Sequence, residues 1–144
     1  MNVADTDADP PLAMAVTAAL LDAGHVAGAL GHGSALLAGY ALLSAAPGTT
    51  VHVCCALALA LWPLTAWLAL RVALDARLFA TLDPDAATLA RFDACLPALG
   101  LYPGVPGPRP VLARCRGALR LWRGLLGCAG VQCALVLIAA LARG

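Results

Sequence analysis

Two stretches of the chain, Val51–Leu70 and Gly124–Ala142, contain no Asp, Glu, Lys or Arg. Each matches the roughly 20 residues that a helix needs to cross the apolar layer of a bilayer. A third stretch, ending before Pro47, is nearly as apolar. Of the 144 residues, 62% are hydrophobic and 12% are charged, and mean hydropathy is +0.86. A soluble domain this small leaves much of its surface wet and could not hide so much apolar area. Acyl chains remove that difficulty. The sequence therefore predicts an all-α integral membrane protein with three transmembrane helices, a helical hairpin plus a third span.

The polar punctuation divides the rest. Residues 1–11 form an acidic tail with Asp5, Asp7 and Asp9 and no base. A cleaved secretory signal has a basic start, so the tail is expected to be retained. Residues 12–46 read as one long helix starting after Pro10 and Pro11. At about 1.5 Å per residue it exceeds a ~30 Å apolar layer. Span 1 is therefore placed at about 26–46, with Leu12–Gly24 projecting. A competing reading breaks this helix at Gly31-His32-Gly33. Pro47-Gly48-Thr49-Thr50 reverses the chain.

The second helix covers 51–82, with span 2 at 51–70 and an extension beyond the membrane. Pro63 lies inside it, freeing the Leu59 carbonyl and predicting a modest bend. Asp83 is the expected cap of a further helix, with Pro84 at its first position. Leu89, Phe92, Leu96 and Leu99 form its apolar stripe, through which the cap is expected to dock a partner. A Pro/Gly-rich connector completes the 83–110 segment. Residues 111–144 read as a basic helix leading into span 3 at 124–142.

All nine bases are Arg and all eight acids are Asp, a composition typical of a GC-rich, bacterial genome. Eight of the nine Arg lie between Arg71 and Arg123, while the Pro47–Thr50 turn has none. Bases concentrate on the cytoplasmic side of membrane proteins. This places residues 71–123 in a small cytoplasmic helical cap, in the inner membrane, with the N-terminus cytoplasmic and the C-terminus periplasmic. Trp67 and Trp122 fall near the inner boundary, where aromatic belts form. Arg116, Arg120 and Arg123 cluster on one side of the last helix, beside Cys115, Leu119, Trp122 and Leu126. That pattern suits contact with anionic lipid headgroups.

Ionisable residues at membrane depth are functional candidates by default. Asp22, His25 and His32 share a helix face, at offsets of three and seven. A hairpin turning between Gly48 and Thr49 brings Asp22 level with Asp75 and close to Arg71. An interfacial ion pair that orients the hairpin is the simpler reading of this cluster. A proton or ion path through Asp22, His25 and His32 is the other.

His32 and His52 lie at different depths, so they do not clamp a haem iron. The six cysteines show no zinc spacing and read as small packing residues. Gly24 and Gly28 form a G-x-x-x-G that serves packing within the chain or against a partner. No hydrolase, metalloprotease or phosphate-loop motif is present. The Arg face lacks the interleaved aromatics of a nucleic-acid surface, so no nucleic acid, cofactor or metal is expected.

The function that fits is a non-catalytic accessory or assembly subunit of a membrane complex. Its partners are the lipid bilayer and a membrane protein or further copies of itself. The alternative is a small oligomeric transporter or channel using Asp22, His25 and His32. A membrane-embedded enzyme ranks third, because only the Asp22–His25–Arg71–Asp75 level offers convergent polar groups.

Overall fold

The computed structural model describes residues 9–44, 48–82, 85–98 and 110–143, without the side chains of Ala86, Phe92, Leu96, Pro97 and Ala98. Five α-helices occupy the described residues: α1 (Pro10–Asp22), α2 (Gly24–Leu43), α3 (Thr49–Thr81), α4 (Ala86–Ala98) and α5 (Val111–Leu141). Among these residues there is no strand. Proline starts α1, as its fixed φ and missing N–H favour, and the Asp9 carbonyl accepts the Ala13 N–H at 2.9 Å.

Three rods result. The first is α1 with α2, interrupted only at Ala23; α3 and α5 are the others. They are 34, 33 and 31 residues long, and each is apolar enough to cross a membrane. The predicted all-α architecture with three such helices is present. α3 packs most extensively on α5 and on α2, and α1 follows the same two neighbours.

The rods are in register. A Cβ built on Gly24 would lie 2.8 Å from Val72 Cγ1 and 3.2 Å from Trp122 Cδ1, so these three residues share one layer. Asp22, Arg71 and Arg123 all lie within two residues of it. Beyond Arg71 and Arg123, in the direction of His32 and Thr65, no rod carries Asp or Arg until Arg143, whose Nη2 donates to the Ala41 carbonyl at 3.1 Å. At ~1.5 Å per residue the charge-free parts of the rods are about 27–33 Å long, close to the thickness of an apolar bilayer layer. The Ala23 break coincides with this boundary.

Two small-residue cores flank a polar layer. One includes Ala27, Leu68, Val72, Ala118, Leu125 and Ala129. The other includes Ala38, Val51, Cys54, Cys55, Ala58 and Ala139. Between them Thr65 and Gln132 are both 0% exposed. Gln132 Nε2 donates to the Ala58 carbonyl at 3.0 Å, and Gln132 Oε1 accepts the Thr65 hydroxyl at 2.8 Å. That hydroxyl has one proton, shared with the Leu61 carbonyl at 3.1 Å. The large side chains point outward: Leu36, Leu43 and Leu141 are at least 74% exposed. Small residues inside and leucines outside is the arrangement of helices solvated by hydrocarbon, where close backbone approach drives packing.

Three sequence expectations change. α2 runs unbroken through Gly31-His32-Gly33, so the competing break is absent. Gly31 packs against α3 and needs no kink to do so. The cap of α4 is Asp85, two residues later than expected, because its carboxylate accepts the Thr88 N–H at 3.2 Å. Asp83 and Pro84 lie outside the described residues. Leu89 is not a free docking residue but is 7% exposed against the cap. Leu99 and most of the connector also fall outside the described set.

Candidate functional site

Helix geometry brings the Asp22, His25 and His32 side chains into one groove between the α1–α2 rod and α3. Successive offsets of three and seven keep them on one face, and the Ala23 interruption does not displace them. The floor is made of small residues, Gly28 and Ala69 among them, and Arg77 closes the charged end. His25 Nδ1 donates to the Asp22 carbonyl at 2.5 Å. His32 Nδ1 donates to the Gly28 carbonyl at 2.6 Å. A ring nitrogen facing a carbonyl must carry the proton, so each neutral imidazole presents a bare Nε2 acceptor. Trp62 meets the His32 ring edge-on, with centroids 6.2 Å apart and planes at 88°.

The expected grouping of these residues with Arg71 and Asp75 does not form. Among the described residues Asp22 and Arg71 make no ion pair; the pair that forms is Arg114–Asp93. Asp75 lines a different cavity, under α4. Summing residue numbers across a hairpin predicts depth, and the depth is right. It does not predict azimuth: at ~100° per residue, Asp75 turns toward α5 while Arg77 turns toward Asp22.

Arg116, Arg120 and Arg123 are exposed on α5 and make no ion pair among the described residues. The neighbouring side splits. Cys115 is buried, Leu119 and Trp122 are half-buried, and only Leu126 is exposed. Cys115 and Trp122 thus serve the bundle. Trp122 Nε1 is buried without a hydrogen-bond partner, beside Gly24.

Gln132 carries the best-satisfied polar contact between rods, and charge-based reading missed it. The available signal was its identity: it is the chain's single Gln, placed in mid-span, where an amide costs free energy unless paired. Next to it Ser34 Oγ and Cys133 Sγ are 3.3 Å apart. All six cysteines are thiols, and among the described residues no group of three His, Cys or Asp is arranged to hold a metal. Gly24 and Gly28 are used within the chain, facing Val72 and Ala69.

The polar face therefore looks out from the bundle, while its interior is closed by alanines and the Thr65–Gln132 bonds. No protein-family model, no curated protein and no solved structure matches the chain.

Proposed function

We propose that the chain is a multi-pass inner-membrane protein and a non-catalytic subunit of a membrane assembly. It crosses three times, with residues 71–123 and the N-terminus cytoplasmic and the C-terminus periplasmic. One observation carries the subunit reading: Asp22, His25 and His32 line an open groove on the outside of a bundle whose interior is shut. Polar groups at this depth are costly against hydrocarbon and are normally turned to protein or water. A neighbouring membrane helix bearing donors for the two bare Nε2 atoms would cover them.

The charge distribution supports the threading through the usual excess of bases on the cytoplasmic side. Arg116, Arg120 and Arg123, at the charge boundary, suit anionic headgroups.

The transporter reading uses the same three residues. Three helices do not enclose a path alone, so the grooves of several copies would have to face each other. Purification in mild detergent from the native membrane separates the readings. Co-migration with other polypeptides, lost in an Asp22→Asn, His25→Ala double variant, is the expected result. A homo-oligomer without other polypeptides transfers the groove to the transporter reading, and a clean monomer overturns both.

A further inference from the structure

Beneath α4 the wet end of the bundle holds a second concave site, on the opposite side of α3 from the histidine groove. Its volume is about 260 Å³, just under the roughly 300–1,000 Å³ of small-molecule pockets. Its walls are apolar: Leu78 and Phe79 from α3 and Leu121 from α5, with Leu89 of α4 closing over them.

Two charged residues line it, Asp75 and Arg114, and they are not equivalent. Arg114 is engaged by Asp93 of α4, with both side chains mostly buried. Asp75 is half-buried and, among the described residues, takes part in no hydrogen bond or ion pair. Arg71, one turn earlier on α3, reaches it only through its charge. A half-buried carboxylate set in an apolar wall has lost part of its hydration, and no donor among the described residues replaces it. The complement of this site is a short hydrocarbon body ending in a cationic donor. An anionic amphiphile would meet Asp75 with Arg114 already engaged by Asp93, and a neutral one would leave the carboxylate unpaired.

We propose that this cleft binds a primary alkylammonium, with the ammonium on Asp75 and the hydrocarbon against Leu78, Phe79 and Leu121. Asp75 lies about one helical turn beyond the Gly24–Val72–Trp122 layer, so the ammonium can come from a free amine or from an aminoethyl lipid headgroup. The inference does not depend on the subunit reading.

The test uses the full-length protein in phosphatidylcholine nanodiscs, with thermal unfolding followed by tryptophan fluorescence against added octylamine, octanol or octanoate. Octylamine should raise the midpoint saturably, and the other two should not. Asp75→Asn keeps the shape and removes the charge; it should weaken the octylamine response about tenfold, as loss of one charge-assisted hydrogen bond implies. Asp22→Asn, in the other groove, should leave the response intact. Repeating the titration with phosphatidylethanolamine present distinguishes the sources. A response suppressed by that lipid supports a headgroup ligand, and a persistent one supports a free amine. Equal responses to octylamine and octanol, or an undiminished response in the Asp75→Asn protein, would overturn the proposal.

Discussion

Gly31 is where three helices meet most closely. A Cβ there would sit 2.6 Å from Thr65 Cγ2 and 3.0 Å from Gln132 Oε1. Neither neighbour can retreat freely, because each is held by the Thr65–Gln132 bond. Gly33, two residues on, faces open space. Gly31→Ala should therefore destabilise the bundle by about 1–3 kcal/mol, the usual range for overpacking, while Gly33→Ala should cost nothing. Gln132→Leu should lose about 0.6 kcal/mol and no more than about 1.7, the average and the maximum for hydrogen bonds between membrane helices. Unfolding in detergent measures all three, and equal effects of the two glycine substitutions would remove Gly31 from this role. In the sequence the two glycines stand alike, as flanks of the competing break at Gly31-His32-Gly33. Only the azimuth of α2 against α3 separates them.

At the scale of elements, α4 stands apart from the three rods. Among the described residues its backbone approaches no other helix closely. Leu89 and the Asp93–Arg114 pair hold it. Removing one partner of a mostly buried charge-assisted pair costs about 1.5–3 kcal/mol. Asp93→Ala should thus accelerate amide hydrogen exchange in α4 by about tenfold or more, with the interiors of α2, α3 and α5 unchanged. Unaltered exchange in α4 would mean that another contact secures it. The helix itself was legible from Asp and Pro before an apolar stripe. Its cap was misplaced because Asp83 and Asp85 both stand near Pro84, and either carboxylate could serve; the Thr88 N–H selects Asp85. Leu89 was read with its stripe as a docking residue because the sequence does not reveal that it lies over the cleft beside Asp75.

For the molecule as a whole, the layer defined by Gly24, Val72 and Trp122 marks a single plane at which charge begins on all three rods. One native cysteine lies well beyond it and is exposed: Cys95. Cys54, Cys55 and Cys115 are buried, and Cys128 and Cys133 are half-buried on the apolar side. With the proposed threading, a membrane-impermeant maleimide should label Cys95 only after cells are permeabilised, and Cys95→Ser should abolish that signal. Labelling in intact cells would reverse the orientation.

Sequence by itself determined the three apolar rods, their approximate ends and the depth of each charged group. Those properties follow from run length, rise per residue and the cost of charge in hydrocarbon, all local or one-dimensional. The tertiary structure decided rotation about each rod. It sent Asp75 and Asp22 to opposite sides of α3, buried Gln132 against Thr65, and turned the histidines outward. Rotation depends on how small residues from distant segments interlock, and with glycine and alanine on every face no periodicity in the chain distinguishes one side from another.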